Sequence, residues 1–401
     1  MANDLNSRFP PKTDPPLAGT RHIMIIAGEA SGDAHASHLV RAIKTLAPEV
    51  VFSGLGGPKM KEAGVKIDED LTRFAVVGFV EVLKHYKDFK RCFNLFLEKV
   101  KERNPVAVIL VDYPGFNLRL AAALKKMRVP DFGGKVIYYI SPQVWAWKAN
   151  RVQAIKKSVD RMLVLFQFEK NFYWERGMTV DFVGHPLVDS VKVTASREQI
   201  LNTSGLSADK ITIGILPGSR QKEVESLFPP MLEAAAILRS QNPAIQFLVL
   251  KAPGLADGLF ENILGQRSLP LKILEGNYYN GINACDLCMV ASGTATLETA
   301  ILNKPMVVVY KTSLLTWLLA KALIKISYIG LVNVVAGEKI VPECIQFEAT
   351  GENIAKELRR IYQSPDEMSR MITALRRIRS SLGATGASLR AAEVVMKELG
   401  K

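Results

Sequence analysis

Short apolar runs alternate along the chain with longer stretches in which apolar residues recur every three or four positions. In residues 22–46 an apolar run ends at Gly28, and helical spacing resumes at Leu39. This pattern predicts a buried strand, a tight loop and an amphipathic helix. Strands that alternate with helices form doubly wound parallel sheets, so we expect an α/β fold. Further strands are predicted at 50–53, 106–111, 136–140, 162–166, 180–183, 211–216, 247–250, 272–274, 287–291 and 306–310.

The strand and helix pattern falls into two blocks, as expected for a 401-residue chain that is too long for one typical core. Residues 189–209 are polar and predict a linker. We therefore expect two Rossmann-like domains, an N-terminal domain at 21–188 and a second at 210–365, facing a central cleft. Residues 366–401 predict helices that pack back on the N-terminal domain or on a second subunit of a homodimer.

The N-terminal residues 1–20 are polar and rich in proline, and they contain no apolar segment of the signal-peptide kind. They predict a disordered leader and a protein that stays in the cytoplasm. Four cysteines in 401 residues fit a reducing compartment. No run of eighteen uncharged apolar residues occurs in the sequence, so no membrane-spanning helix is expected.

The formal net charge is +13, which favours polyanions, acidic membrane surfaces or phosphorylated substrates. No Lys/Arg block or nucleic-acid recognition motif is visible, so we expect no nucleic-acid partner. Residues 74–86 carry more large apolar side chains than one buried stripe needs, with basic residues between them. They predict contact with a membrane interface, whereas burial against the sheet is the alternative. The candidate contact residues are Phe74, Val77, Phe79 and Val80.

Carboxylates follow two of the predicted strands in the first block. Glu29 and Asp33 follow the first strand, and Asp112 follows the strand at 106–111. Ligands of open α/β sheets bind at the carboxyl ends of the strands, so these side chains are candidate catalytic groups. Capping of the following helix is the alternative role for Asp33.

Small residues follow the strand at 287–291 in the second block. Ser292, Gly293 and Thr294 precede a predicted helix, whose start favours a phosphate group. Glu298 lies one turn inside that helix, where a carboxylate can accept hydrogen bonds from ribose hydroxyls. Arg220 follows another strand and can make forked contacts to a diphosphate, a surface ion pair with Glu223 being the alternative.

Known nucleotide-binding motifs are missing: the sequence has neither a P-loop nor a GxGxxG after any strand. A nicotinamide oxidoreductase is therefore the least favoured class. With phosphate binding in one block and carboxylates in the other, group transfer across the cleft is the simplest interpretation.

Nine strings in a fixed order carry a resemblance to the lipid A disaccharide synthase family, and they cover nearly the whole chain after residue 20. The combination of GEASGD, SPQVWAW and GSRxxEV is the most specific. The strings are AGEASGD (27–33), GLGGPKM (54–60), VGFVEV (77–82), VDYPGFN (111–117), YYISPQVWAW (138–147), FVGHPL (182–187), LPGSRQKEV (216–224), SGTATLE (292–298) and IVPECIQ (340–346).

The resemblance implies a GT-B-type glycosyltransferase, with an acceptor-side domain at 21–188 and a UDP-sugar-binding domain at 210–365. It also implies that residues 74–86 hold acyl tails of the substrates or dip into the inner leaflet of the membrane. Its members transfer a diacylglucosaminyl group from UDP-2,3-diacylglucosamine to 2,3-diacylglucosamine 1-phosphate (lipid X), giving a β-1′,6 disaccharide and UDP with inversion. It implies Asp112 as the base, with Glu29 and Asp33 as alternative bases or as orienting groups, and no metal or other cofactor. By position it adds Asn333, Glu343 and Gln346 to the donor site, and it implies peripheral association with the inner leaflet of the cytoplasmic membrane.

Three other functions stay open at this point. The same fold serves a lipid-linked GlcNAc transferase of peptidoglycan assembly and a UDP-sugar 2-epimerase, although GEASGD and SPQVWAW argue against both. The third is a membrane-associated nucleotide-sugar-binding protein without catalysis.

Overall fold

The computed structural model describes residues 21–74, 86–127, 131–147, 149–265, 269–314, 317 and 327–400. The elements within these ranges are labelled in chain order. The first seven strands are β1 (His22–Ala27), β2 (Val51–Leu55), β3 (Val65–Glu69), β4 (Ala107–Val111), β5 (Lys135–Tyr139), β6 (Arg161–Val164) and β7 (Asp181–Phe182). The helices between and after them are α1 (Ala30–Leu46), α2 (Pro58–Glu62), α3 (Tyr86–Arg103), α4 (Pro114–Lys126), α5 (Val144–Trp147), α6 (Val152–Ser158), α7 (Gln167–Trp174) and α8 (Leu187–Ser190).

Six more strands and nine more helices follow in the described residues. The strands are β8 (Ile211–Leu216), β9 (Ile245–Lys251), β10 (Leu271–Glu275), β11 (Leu287–Ala291), β12 (Met306–Tyr310) and β13 (Glu343–Ile345). The helices are α9 (Arg197–Thr203), α10 (Gln221–Gln241), α11 (Leu259–Leu264), α12 (Tyr278–Ala284), α13 (Thr294–Ile301), α14 (Leu331–Ala336), α15 (Gly351–Gln363), α16 (Pro365–Ser381) and α17 (Ala387–Glu398).

The strands form two parallel sheets, which confirms the predicted α/β fold. The first sheet has the order β3-β2-β1-β4-β5-β6-β7, and the second has the order β10-β9-β8-β11-β12-β13. In each sheet the chain order reverses at one place, between β1 and β4 and between β8 and β11. Connections leave toward opposite faces at such a switch point, so a crevice opens at the carboxyl ends of the two strands.

Strands β4 and β11, at the centre of the two sheets, are apolar from end to end because parallel strands are covered by helices on both faces. Every residue of β4 and of β11 is buried. All eleven predicted strands are present, and the structure adds β3 and β13, which the sequence pattern missed. In β3 buried Val65 is followed by exposed and half-buried residues, and β13 is only three residues long, so neither gives a clear apolar run.

The polar stretch predicted as a linker contains a helix. Ser196 accepts a hydrogen bond from the Gln199 amide, and the Gln199 side chain accepts one from the Ser196 amide, which together make a capping box at the start of α9. The placement of a linker at 189–209 stays a prediction, and the structure adds that this stretch contains a capped helix. The leader at 1–20 and the candidate membrane residues Val77, Phe79 and Val80 lie outside the described residues.

The last two helices contact different parts of the fold. Helix α16 packs against α13 of the second sheet, whereas α17 packs against α1 of the first. The Asp189 carboxylate accepts hydrogen bonds from the amides of Gly386 and Ala387 at the start of α17. The chain therefore returns to the first sheet at its C-terminal helix. Within the described ranges, no helix is both long and apolar enough to cross a membrane.

Candidate active site

Asp112 lies directly after β4, at the switch point of the first sheet. Asp112 and Tyr113 both adopt left-handed backbone conformations, with φ of 46° and 47°. The Asp112 amide donates to the Tyr139 carbonyl at 2.9 Å, and its own carbonyl accepts from the Tyr138 hydroxyl at 2.6 Å and the Asn117 side-chain amide at 2.8 Å. These bonds hold the strained turn in place and fix the direction in which the Asp112 side chain leaves it.

Glycine at position 28 brings the loop after β1 against the loop after β4. A β-carbon on Gly28 would lie 2.2 Å from Cδ1 of the Tyr113 ring, so only glycine permits this packing. Glu29, the next residue, is half-buried at the start of α1, and its side chain makes no capping hydrogen bond. Its carboxylate is therefore not used by the helix.

Glu29 is close enough to Asp112 to change its protonation. Burial and the negative charge of Glu29 together raise the pKa of Asp112 to about 6, and a hydrogen bond from the Tyr113 backbone opposes this shift only in part. A carboxyl with such a pKa is mostly ionised at pH 7 and is a stronger base than an ordinary aspartate.

Asp33 has a different environment. Only 2% of its surface is exposed, and its two oxygens accept hydrogen bonds from the backbone amides of Gly57, Lys59 and Met60 at 2.8–3.1 Å. These amides lie at the start of α2, so Asp33 caps that helix across the fold. The alternative assignment of Asp33 as the base stays a prediction, and this geometry weighs against it.

His185 is also unsuited to proton transfer near neutral pH. Burial lowers the pKa of His185 to about 3, with a smaller contribution from His35. Its Nδ1 accepts a hydrogen bond from the Leu187 amide at 3.2 Å. The imidazole is therefore neutral at pH 7 and engaged with the backbone.

A pocket of about 500 Å³ lies at the switch point of the second sheet. It brings together Arg220, the residues from Ser292 to Ala295, and Glu298. It also includes Ala252, Pro253, Tyr278 and Tyr279, which the sequence interpretation missed. These residues follow β9 and β10, so the rule that ligands bind after the strands contained the signal for them.

The floor of this pocket is the turn into α13. A β-carbon on Gly293 would meet no atom within 4 Å, and its φ is 153°. The first amides of a helix have no partner inside the helix, and the helix dipole adds about half a positive charge there. The Ser292 hydroxyl donates to the Ile329 carbonyl at 3.0 Å, which ties this turn to the loop before α14.

Charged groups flank the pocket. Nη1 of Arg220 lies 2.8 Å from Oε1 of Glu223, and this exposed ion pair is the alternative considered from the sequence. Glu298 accepts a hydrogen bond from the Tyr279 hydroxyl at 3.1 Å, and burial raises the pKa of its carboxyl. The free energy of an exposed pair such as Arg220–Glu223 is small, so an incoming diphosphate can compete for the guanidinium.

The side chains of Asn333, Glu343 and Gln346 form hydrogen bonds with other groups of the protein. Asn333 is fully buried; it accepts from the Ile340 and Val341 amides and donates to the Val341 carbonyl and to Glu343. Glu343 also accepts from the amides of residues 329 and 330 at the start of α14, and Gln346 exchanges two hydrogen bonds with the Thr312 backbone. Their binding to a donor stays a prediction, and the contacts favour a positioning role.

Each half of the candidate site draws its residues from one sheet. The group around Asp112 and Glu29 belongs to the first sheet, and the pocket with Arg220 and Glu298 belongs to the second. Both groups lie where the strand order reverses, so the two halves repeat one architectural feature with different residues: carboxylates in the first and a glycine-containing turn into a helix in the second.

Solved structures share this fold at low sequence identity. The UDP-GlcNAc 2-epimerase of Neisseria meningitidis bound to UDP-GlcNAc matches with a TM-score of 0.62 and 13% identity, over 94% of this chain and all of that one. The calicheamicin glycosyltransferase CalG4 matches with a TM-score of 0.59 and 14% identity, over 96% of this chain and 99% of that one. At such identity these likenesses show a GT-B-like fold, as expected from the sequence.

Comparison of the sequence with known proteins identifies the family as well as the fold. The lipid-A-disaccharide synthase of Geobacter sulfurreducens is 43% identical over 95% of this chain and 98% of its own length. Lipid-A-disaccharide synthase 1 of Legionella pneumophila (strain Philadelphia 1) is 37% identical over 96% of this chain and 99% of its own. The family model described as lipid-A-disaccharide synthetase matches residues 23–391. The chain therefore belongs to the lipid-A-disaccharide synthetase family.

Proposed function

We propose that this protein transfers a diacylglucosaminyl group from UDP-2,3-diacylglucosamine to the 6-hydroxyl of lipid X. The products are the β-1′,6 lipid A disaccharide 1-phosphate and UDP. The observation that carries the proposal is the pair of switch-point sites, one with a carboxylate of raised pKa and one with a phosphate-binding turn. The identity of the two substrates is inferred from membership of the family.

In this proposal the reaction is a single displacement. The acceptor 6-oxygen attacks the anomeric carbon as the bond from that carbon to the UDP oxygen breaks, which inverts the configuration. Asp112 takes the proton of the attacking hydroxyl, because its raised pKa makes it a better base while it remains mostly ionised at pH 7. Burial keeps that pKa high, and repulsion by Glu29 adds to the shift.

The leaving diphosphate is stabilised in the second pocket. Arg220 leaves Glu223 and makes a forked contact with the phosphates, and the amides at the start of α13 donate to them. Glu298 accepts from the ribose hydroxyls, with Tyr279 holding its carboxylate. The positive groups of the chain itself neutralise the charge that develops on UDP, so we expect the reaction to need no metal. We further propose that Asn333, Glu343 and Gln346 hold the loops around this pocket.

The test is product analysis. Purified protein is incubated with UDP-2,3-diacylglucosamine and lipid X in detergent, with and without EDTA, and UDP and the lipid product are followed by mass spectrometry. Disaccharide 1-phosphate formed in EDTA is the expected result. UDP release without disaccharide would mean that the acceptor is wrong, and no turnover at all would favour a nucleotide-sugar-binding protein.

We also propose that the protein associates with the inner leaflet of the cytoplasmic membrane. The support is the net charge of +13 and the apolar, basic stretch at 74–86. Binding to vesicles that contain acidic lipid is expected to weaken with added salt. The double substitution Phe79→Ser and Val80→Ser is expected to lower vesicle binding at any salt concentration. Unchanged flotation with vesicles would contradict this part of the proposal.

A further inference from the structure

A second groove, of about 520 Å³, lies beside the Asp112 turn and is separate from the donor pocket. Its walls come from α3 and from the start of α4. Its volume is within the range of small-molecule sites, about 300–1,000 Å³. Four aromatic residues and four others line it: Phe89, Phe93, Tyr113 and Phe116, with Lys90, Asn94, Gly115 and Arg119.

The aromatic rings form one continuous apolar wall. The ring centroids of Phe93 and Phe116 are 5.6 Å apart, those of Tyr113 and Phe116 are 6.2 Å apart, and Phe89 lies 6.4 Å from Phe116. Phe116 is buried, but Phe89 and Phe93 are only half-buried. Apolar surface left in water in one patch typically marks a binding site, because covering it is favourable.

Tyr113 connects this groove to the candidate base. Its ring lies in the groove wall and packs on Gly28, while its backbone continues directly from Asp112. A molecule whose apolar tail packs on the Tyr113 ring can therefore place its polar head next to the Asp112 turn.

Two cations line the same groove. Lys90 and Arg119 are both exposed, and within the described part of the chain neither forms an ion pair with a carboxylate. Cations beside an aromatic wall are complementary to a molecule with an apolar chain and a phosphate.

We propose that this groove binds one acyl chain of the acceptor glycolipid, with Lys90 and Arg119 facing its phosphate. The identity of the acceptor rests on the proposed function. The groove adds a tail site next to the base, in residues that follow the candidate membrane stretch at 74–86 and are distinct from it. Binding of the acceptor should therefore depend on the length of its acyl chain, through residues that follow strands of the first sheet.

Gly115 provides the test. It is the second residue of α4, it lines the groove, and a β-carbon there would meet no atom within 4 Å. Gly115→Phe therefore adds bulk to the groove without a backbone clash, and Gly115→Ala adds a smaller amount. Glu352→Phe is the matched control, since Glu352 is the exposed second residue of another helix, α15.

The readout is the KM for lipid X analogues with tetradecanoyl or butanoyl chains. For Gly115→Phe we expect the KM of the long-chain acceptor to rise at least about tenfold, which corresponds to about 1.4 kcal/mol. The KM of the short-chain acceptor should change by less than about twofold, because a short tail leaves the groove unfilled. Gly115→Ala should fall between wild type and Gly115→Phe, and Glu352→Phe should keep the wild-type chain-length dependence.

A second variant tests the cations without adding bulk. Arg119→Gln is expected to raise the KM of the phosphorylated acceptor more than that of the same diacylglucosamine without phosphate. An equal rise for both acceptors would contradict the phosphate contact.

Wild-type chain-length dependence in Gly115→Phe would overturn the proposal. Loss of vesicle binding in that variant without a chain-length effect would instead make the groove a bilayer contact, which also overturns it. If the wild type forms no disaccharide, the proposed function is wrong. Binding of lipid X to the groove can then still be tested by calorimetry. Long-chain lipid X in detergent should bind the wild type and bind Gly115→Phe at least about tenfold more weakly, and equal binding would reject the groove.

Discussion

At the residue scale, the environment of each carboxylate separates groups that look equivalent in the sequence. Asp33 and Asp112 both come shortly after a buried strand, but Asp33 accepts three backbone hydrogen bonds and Asp112 has its pKa raised to about 6. Three backbone amides occupy the oxygen lone pairs of Asp33, whereas burial beside another negative charge favours proton uptake by Asp112. Asp112 is therefore the residue on which catalysis should depend.

Replacement of Asp112 by asparagine tests this assignment. Loss of a general base typically costs a factor of about 100 to 10,000 in rate, so kcat should fall by that amount. Binding of UDP should stay near the wild-type value, because the UDP pocket belongs to the second sheet. Steady-state kinetics and calorimetric titration with UDP measure the two quantities. Turnover near the wild-type rate would exclude Asp112 as the base.

The pH profile tests the role of Glu29. The protonated form of Asp112 cannot accept a proton, so kcat/KM should fall as the pH drops through about 6. Glu29→Gln removes a negative charge that raises this pKa, so the acid limb should move to lower pH. Burial still acts in the variant, so the pKa should stay above the usual aspartate value.

Glu62→Gln is the control, because Glu62 is an exposed carboxylate at the end of α2. It should leave the acid limb in place. Complete loss of activity in Glu29→Gln at every pH would instead indicate that Glu29 is the base. An acid limb at the wild-type pH in this variant would show that Glu29 does not influence the pKa of Asp112.

At the scale of elements, strand ends and helix starts supply most of the candidate chemistry. The turns after β1 and β4 carry the carboxylates, the turn after β8 carries Arg220, and the turn after β11 is the proposed phosphate-binding turn. Side chains from neighbouring elements brace these turns: Tyr138 and Asn117 hold the Asp112 carbonyl, and Glu343 holds the start of α14. A motif residue can thus act by fixing an element without touching the substrate.

Asn333→Ala distinguishes these two roles. The substitution removes the partners of the Ile340 and Val341 amides and of Glu343, and each buried polar group left unsatisfied costs about 1–3 kcal/mol. We expect a lower free energy of unfolding in the absence of UDP, measured by urea denaturation. Unchanged stability with a large loss of UDP affinity would make Asn333 a direct ligand.

At the scale of the whole molecule, the C-terminal helix joins the end of the chain to its beginning. Helix α17 packs on α1, and Arg390 donates to the Val183 carbonyl at 2.9 Å. The His185 amide donates to the Leu382 carbonyl at 2.8 Å. The helix that begins after Glu29 is therefore covered by a segment more than 300 residues away in the sequence. The domain limits of 21–188 and 210–365 stay a prediction.

Asp189→Ala measures how much this closure contributes. The carboxylate holds the first amides of α17 at 2.7 and 3.1 Å, and a hydrogen bond to a charged group contributes about 1.5–3 kcal/mol. We expect a loss of that size in the free energy of unfolding. Asp366→Ala, at the exposed start of α16, should cost less. Equal losses of unfolding free energy in the two variants would show that the Asp189 contact with α17 stabilises the fold no more than the contacts of Asp366.

The sequence by itself determined the fold class, eleven of the thirteen described strands, and the turns that hold the candidate site residues. It did so because buried parallel strands need unbroken apolar runs, and the residues after them are exposed at the sheet edge. The motif strings likewise identified the family, because their order along the chain is a property of the sequence alone.

Only the tertiary structure decided what each polar residue in those turns does. The pattern of apolar residues does not predict that Asp33 accepts hydrogen bonds from the start of α2. Nor does it predict the hydrogen bonds of Asn333 within its own loop, or the packing of Tyr113 on Gly28. The pKa of Asp112 likewise depends on burial and on Glu29, a residue 83 positions earlier in the chain. Hydrogen bonding and electrostatic interactions act over a few ångströms in space, and the fold alone sets which distant residues come that close.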